Sequence, residues 1–166
     1  MCDYCDCRDI VPIRELSDQH ERIGKLMAEL RVLFGQGGET SASGVMTALQ
    51  GLLAPHLVLE EEGIFAQLAG RPGFEWYLDQ LSSDHARARA GLLSADPGCP
   101  GWSEGVLAAL DELADHIEVE EYDLFPASRV IIDDAGWEQV SAVHRQPAGG
   151  MLAGTFEAGP GGSATT

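Results

Sequence analysis

Two stretches of the chain repeat one pattern, in which a histidine is followed four residues later by a glutamate. They are His56-Leu-Val-Leu-Glu60 and His116-Ile-Glu-Val-Glu120, and each continues through a second glutamate to a phenylalanine. Side chains four residues apart lie on the same face of an α-helix, about one turn apart. Each stretch therefore predicts an imidazole and a carboxylate that converge on one point.

Two single histidines, His20 and His85, complete the pattern, each flanked by apolar residues at helical spacing. Burying an imidazole or a carboxylate without a partner is costly, so one inward histidine on each of four helices favours a bound cation. Glu60 and Glu120 are the natural bridges between two ions, because a carboxylate has two oxygens. This donor set suits iron, manganese or zinc. The predicted metal ligands are His20, His56, Glu60, His85, His116 and Glu120.

Apolar periodicity and breaker residues predict the helices that must position these side chains, over residues 14–34, 40–69, 74–94 and 103–129. The junctions are short, and short connections favour antiparallel neighbours, so we expect an all-α fold, an antiparallel up-down-up-down four-helix bundle. Residues 133–145 predict a short fifth helix. The expected domains are a Cys-rich N-terminal segment over 1–11, the bundle over 12–146 and a disordered tail over 147–166.

Two local details are predicted for the second helix. A Thr or Ser within residues 40–43 is expected to cap its first turn. Pro55 stands directly before His56, where it removes a backbone hydrogen bond, so we expect the helix to be irregular at that point.

Size and charge exclude several classes of function. At 166 residues the chain suits one domain with one sizeable core. Its 27 acidic and 10 basic residues give a net charge of -17, which argues against nucleic acid or an anionic membrane as a partner. No run of eighteen apolar residues and no basic, then apolar, N-terminal stretch is present, so we expect no membrane span and a cytoplasmic location.

Three of the four cysteines, Cys2, Cys5 and Cys7, lie within the first seven residues, and Cys99 lies in a Pro-Gly turn. Three interpretations of this cluster stay open. It is a solvated tail, a thiol redox site, or a structural zinc site with Cys99 as the fourth ligand.

The order His, His-x-x-x-Glu, His, His-x-x-x-Glu over four helices resembles the hemerythrin-like, or HHE, cation-binding family, over about residues 12–130. The opening Cys-x-Tyr-Cys-x-Cys-Arg also resembles a prefix found on actinobacterial members. The resemblance implies two iron ions in an oxo- or hydroxo-bridged, carboxylate-bridged di-iron centre that binds dioxygen. Some bacterial relatives are implicated in peroxide, nitric oxide or oxygen handling rather than transport.

The chain differs from the oxygen carriers of that family in two places. The carriers have a second histidine one turn from the third-helix ligand, where this chain has Leu81 and Arg89. They also have an aspartate five residues after the last histidine, where this chain has Glu120 at four. A missing ligand leaves an open position, which is typical of catalytic rather than structural metals.

Four further residues are candidates for the surroundings of the ions. His144 can fill the missing position from the fifth helix, or it is a surface histidine. Tyr77 and Tyr122 can ligate an ion or bond to an oxygen species, although buried tyrosines more often pack in the core. Arg89 can pair with a carboxylate such as Glu61 or Glu121, or be solvated.

Three functions stay open at this point. The first is a protein that reacts with dioxygen, hydrogen peroxide or nitric oxide, with catalase-like peroxide disproportionation as its enzymatic form. The second is binding without turnover, as an oxygen or nitric oxide sensor or an iron store, with a redox partner protein. The third is a structural bundle without metal. A ferritin-like site is disfavoured because it needs Glu-x-x-His spacing. Monomer and dimer are both compatible with the sequence.

Overall fold

The computed structural model describes residues 7–146. This part of the chain is helical and contains no β-strand. A short 3-10 turn, Cys7–Asp9, precedes the first long helix, α1, which spans Val11–Gly35. Three long helices, α2 to α4, and a short helix, α5, follow it.

Each of the helices α2 to α4 contains a wider, π-helical turn. Helix α2 comprises Glu39–Glu60, a π turn at Glu61–Phe65, and Ala66–Leu68. Helix α3 comprises Glu75–Ala88 and a π turn at Arg89–Leu93. Helix α4 comprises Trp102–Val119, a π turn at Glu120–Leu124, and Phe125–Ile131, and α5 spans Asp134–His144. The predicted all-α bundle with a short fifth helix is confirmed, and each predicted end lies within three residues of the observed one.

The apolar core consists of two clusters, one towards each end of the bundle. The first cluster joins the later half of α1 to the start of α2, and the end of α3 to the start of α4, through residues such as Leu30, Met46, Leu92 and Val106. The second joins the opposite ends, through residues such as Leu16, Leu68, Leu81 and Phe125. In each cluster the end of one helix meets the start of its neighbour in the chain, so these neighbouring helices run antiparallel.

Two predictions about α2 are wrong. The residue that caps this helix is Gly38, which has no side chain to offer, and its N–H donates to the Leu33 carbonyl at the end of α1. The helix also continues without interruption through Pro55. The irregular turn begins at Glu61, after the histidine and glutamate rather than before them.

Helix α5 packs against the π turn of α2, and a glycine permits this close approach. A Cβ placed on Gly63 would lie 3.2 Å from Val140 Cγ1. Asp133 caps the start of helix α5, and its side chain accepts a hydrogen bond from the backbone N–H of Gly136 at 2.9 Å. The predicted tail over residues 147–166, together with Cys2 and Cys5, lies outside the described residues.

Among the described residues, the segment Glu39–Leu68 is long and apolar enough to cross a membrane by length and composition alone. The core helix of a soluble protein passes the same test. The apolar face of this helix packs in the bundle interior, as Leu49, Leu53 and Leu57 show by being fully buried. We therefore interpret it as the core helix of a soluble helical domain.

Candidate metal centre

A layer of polar side chains separates the two apolar clusters at the middle of the bundle. His20 follows Leu16 and precedes Ile23 on α1, so the helical repeat that buries these two residues also turns the imidazole inward. The other three helices repeat this arrangement. All six predicted ligands lie in the layer and are between 0 and 4 % exposed: His20, His56, Glu60, His85, His116 and Glu120.

These six side chains form two overlapping groups whose potential ligand atoms lie within 4.8 Å of one another. One group contains His20 and His56, the other contains His85 and His116, and both contain the same two glutamates. The Nε2 atoms of His85 and His116 are 3.0 Å apart. The sequence prediction of two histidines for each ion and two shared carboxylates matches this division.

Each glutamate points one oxygen at each group. Glu60 Oε1 lies 3.3 Å from His56 Nε2, and its Oε2 lies 3.4 Å from His85 Nε2. Glu120 Oε2 lies 3.3 Å from His20 Nε2, and its Oε1 lies 3.1 Å from His116 Nε2. Both carboxylates therefore have the orientation of a bridge between two ions.

The buried atoms at the centre of this layer fit a cation. Both oxygens of Glu60, both oxygens of Glu120 and His20 Nε2 are inaccessible to solvent and have no hydrogen-bond partner. Buried carboxylate oxygens without partners are costly, and coordination to a cation satisfies them. The donors are imidazole nitrogen and carboxylate oxygen, which suits a divalent transition metal.

The outer nitrogen of every one of these imidazoles has an acceptor on another helix. An acceptor at Nδ1 holds the proton on that atom and leaves Nε2 free to bind a metal. The four pairs are His20 with Glu121 Oε1 at 2.9 Å, His56 with Gln19 Oε1 at 3.0 Å, His85 with Glu61 Oε1 at 2.8 Å, and His116 with Asp84 Oδ2 at 3.4 Å. The ring orientations are thus determined by contacts between helices.

Comparison with known proteins agrees with this geometry. The model of the hemerythrin HHE cation-binding domain matches residues 11–128. The chain belongs to this family. Searches of curated proteins and of solved structures found no match.

Family membership confirms the resemblance drawn from the His-x-x-x-Glu pattern, and the His and Glu side chains of the polar layer form two groups that could hold a metal ion. The family match ends within α4, at residue 128, and α5 lies outside it.

The second glutamate of each repeat has a role that sequence reasoning did not assign. Glu60 and Glu120 face the centre, whereas Glu61 and Glu121 bond to the single histidines of α3 and α1. Both pairs stand where a π turn begins, and such turns are frequent at functional sites. The signal for this turn was the shared Glu-Glu-x-x-Ile/Leu-Phe sequence after each ligand pair.

The phenylalanine that ends each repeat packs on the same single histidine. The Phe65 ring stacks on His85 with centroids 5.1 Å apart, and the Phe125 ring stacks on His20 at 5.6 Å. Stacking of this kind limits ring rotation. Each repeat thus supplies a histidine and a glutamate to the polar layer, and two residues that contact a histidine of another helix.

Arg89 occupies one of the two positions, four residues from His85, at which the sequence offers no further histidine. Its guanidinium donates to both carboxylate oxygens of Glu61, at 2.8 Å each. Of the alternatives that the sequence left open for Arg89, the structure shows pairing with Glu61.

The remaining candidates lie outside the two groups of ligand atoms. His144 Nδ1 bonds to Glu15 Oε2 at 2.8 Å, on the outer side of α1. The Tyr77 hydroxyl donates to the Val119 carbonyl at 3.5 Å, and burial, with the charges of Asp123 and Glu120, raises the pKa of that phenol. The Tyr122 side chain is about half exposed, at 52 %.

The cysteines of the described residues belong to neither group of ligand atoms. Cys7 is buried in the second apolar cluster. Cys99 is exposed, with its Sγ 3.8 Å from Asp96 Oδ2.

In the metal-free form of this HHE domain, protons partly take the place of a cation. Burial lowers the pKa of His20, but the carboxylates of Glu120, Glu121 and Glu60 outweigh it and hold that pKa well above its usual value. Burial also opposes protonation of His85, yet the facing carboxylates of Glu120 and Glu61 raise its pKa to about 9. At His56, burial outweighs the opposing charges of Glu60 and Glu120 and lowers the pKa to about 4.

The pKa values of two carboxylates that face these imidazoles, Glu120 and Glu61, are lowered. Burial acts to raise the pKa of Glu120, but the three facing imidazoles of His116, His20 and His85 hold it well below its usual value. Bonds from His85 and Arg89 outweigh burial at Glu61 and lower its pKa to about 2. Glu120 is therefore ionised at neutral pH and available to bind a cation.

Proposed function

We propose that this HHE domain holds a di-iron centre in which His20 and His56 bind one ion, His85 and His116 bind the other, and Glu60 and Glu120 bridge them. One observation supports it above the rest: each of two fully buried carboxylates directs one oxygen to each pair of histidines. The unpartnered state of all four of these oxygens also supports it.

We further propose that the centre binds and reacts with a small oxidant, namely dioxygen, hydrogen peroxide or nitric oxide. Two imidazoles and two carboxylate oxygens are four protein donors for each ion, and catalytic metals keep positions open. The absence of a histidine at both positions four residues from His85 supports this count, because Leu81 is apolar and Arg89 bonds to Glu61. Peroxide disproportionation is the enzymatic form of the proposal, because a bound di-iron centre would supply the two-electron redox change that it requires.

The protein supplies a shielded site with restricted access. The two apolar clusters enclose the polar layer from both ends of the bundle. A surface cavity of about 180 Å³ reaches His20 between α1 and α4, and its lining consists of Arg8, Ser17, His20, Glu21, Ile117 and Glu121. A cavity of this size has room for a diatomic molecule or peroxide beside His20.

Sensing without turnover is the second candidate function, and one contact favours it. Arg8, on the 3-10 turn next to the N-terminal cysteines, pairs with Glu21 at 3.4 Å at the rim of the cavity. A ligand that enters beside His20 therefore meets a residue joined to the cysteine segment. In a sensor of this kind, the change caused by ligand binding is passed through the cysteine segment to a redox partner protein. We propose a cytoplasmic location for the protein under both candidate functions.

Metal analysis of the purified protein tests the centre itself. We expect two irons per chain, and loss of iron loading in His56→Ala and Glu60→Ala. His144→Ala is the matched control, because this histidine bonds to Glu15 and lies outside both groups. Full iron content in His56→Ala and Glu60→Ala would show that the ligand set is wrong.

Rapid mixing with peroxide then separates the two functions. Repeated turnover is expected to release one dioxygen for every two peroxides consumed, measured with an oxygen electrode. Binding without oxygen release, accompanied by a stable change in the optical spectrum, would favour the sensor.

A further inference from the structure

The two halves of the polar layer match each other contact by contact. The His20 and His56 rings are 4.7 Å apart and inclined at 68°, and the His85 and His116 rings are 4.7 Å apart and inclined at 69°. The carboxylates of Glu121 and Glu61 and the rings of Phe125 and Phe65 repeat the correspondence. Because these contacts are the same in both halves, the contacts that differ are the ones that distinguish the two pairs of histidines.

The first difference is the residue that precedes each single histidine. In one half Gln19 accepts from His56 through a neutral amide oxygen at 3.0 Å. In the other half Asp84 takes the same place opposite His116 with a carboxylate oxygen at 3.4 Å. Gln80 donates to the second oxygen of Asp84 at 3.0 Å, and Arg87 also bonds to it, so the carboxylate is held in place.

The second difference is the residue that follows each single histidine by four positions. In the Asp84 half this residue is Arg89, which fixes Glu61 with two hydrogen bonds at 2.8 Å. In the Gln19 half it is Gly24, around which a Cβ would meet no atom within 4 Å. Glu121 there borders the cavity beside His20.

We propose that the two metal positions differ in affinity, so that the His85/His116 position fills first and the His20/His56 position holds the more readily exchanged ion. Asp84 and Gln19 are the positioning residues that set the order. A carboxylate at Nδ1 makes an imidazole a stronger donor than an amide does, and such outer partners change metal affinity by about 10- to 100-fold. This inference rests on the proposed function, which requires both positions to bind metal.

Titration of the metal-free protein with Zn²⁺ against a chromophoric chelator tests the order. We expect two binding steps whose affinities differ by at least about ten-fold. Histidine-selective nuclear magnetic resonance at one equivalent of Zn²⁺ identifies the position, because the ring signals of His85 and His116 are expected to shift before those of His20 and His56.

Two nearly isosteric substitutions are expected to reduce the difference from opposite sides. Asp84→Asn weakens the tighter step, and Gln19→Glu strengthens the weaker one. The matched controls change charge by the same amount on exposed side chains nearby: Asp115→Asn, one residue before His116, and Ser82→Glu on α3. Both controls are expected to leave the two affinities within about two-fold, because neither side chain bonds to an imidazole.

Three results would overturn the inference: two steps of equal affinity, filling of the His20/His56 position first, or an Asp84→Asn effect no larger than that of Asp115→Asn. Gln19→Glu provides an independent arm if Asp84→Asn does not fold, as checked by circular dichroism. The absence of Zn²⁺ binding at both positions would instead contradict the proposed metal centre, so the two failures are distinguishable.

Discussion

Arg89 and Glu61 form a two-point ion pair in which each carboxylate oxygen accepts from the guanidinium at 2.8 Å, and the same Glu61 accepts from His85 Nδ1 at 2.8 Å. The pair joins the π turn of α2 to the π turn of α3. Arginine binds a carboxylate in a planar, two-point geometry that lysine does not reproduce. The orientation of the His85 ring thus depends on a residue that does not touch the metal position.

Arg89→Lys is expected to weaken metal binding at the His85/His116 position by about ten-fold, because Glu61 loses its fixed orientation. Competition with a chromophoric chelator measures the change. Arg145→Lys is the matched control, because Arg145 pairs with Glu138 on the surface. An unchanged affinity in Arg89→Lys would show that His85 is positioned without Glu61.

The stability of the metal-free protein is expected to fall as the pH rises from about 6.5 to about 9. The folded state raises the pKa of His85 to about 9, above the usual value of 6.5 in the unfolded chain. Stabilisation from a raised pKa is complete below the unfolded value and is lost as the pH passes the folded one. Urea unfolding at several pH values in this window measures it, and a flat profile would contradict the assignment.

Metal affinity is expected to change in the opposite direction over the same pH window. Binding displaces protons from His85 and from His20 and His116, whose pKa values are also raised. His56 does not contribute above pH 6.5, because burial lowers its pKa to about 4. Zn²⁺ competition at pH 6.5 and pH 8.5 measures the effect, and stronger binding at the lower pH would exclude proton displacement.

Gly91→Ala is expected to destabilise the bundle by about 1–3 kcal/mol, the usual cost of overpacking. A Cβ on Gly91 would lie 2.7 Å from Ala109 Cβ, so α3 and α4 would have to separate. Adding Ala109→Gly is expected to restore most of the loss, as measured by urea unfolding. Gly44→Ala is the control, since its Cβ meets nothing within 4 Å and alanine favours a helix by about 0.5–1 kcal/mol.

The sequence predicted the helices and the ligands for the same reason: both follow from the spacing of residues along one helix. Apolar periodicity placed His20 between Leu16 and Ile23, and the structure buries all three. The Asp84–His116 and Gln19–His56 contacts were not predicted, because they depend on the rotation and height of one helix relative to its neighbour. The spacing of residues along one sequence does not give the rotation and height of one helix relative to another.

The irregularity of α2 shows a different limit. Pro55 is a strong local signal, yet the α-helix continues through it, because a proline removes only one backbone hydrogen bond. The observed π turn at Glu61–Phe65 contains no proline and was not predicted from the sequence. The same turn recurs at Glu120–Leu124, after the second His-x-x-x-Glu pair, so the local geometry follows the repeat and not the proline.

The division of the core by a polar layer makes the bundle sensitive to metal supply. One inward histidine lies on each of the four long helices, so the proposed metal centre would link all of them at mid-height, between the two apolar clusters. Without metal, the middle of the bundle is expected to be its least protected region, and backbone amide exchange to be fastest there among the helices. Metal supply would then control how readily the middle of the bundle opens.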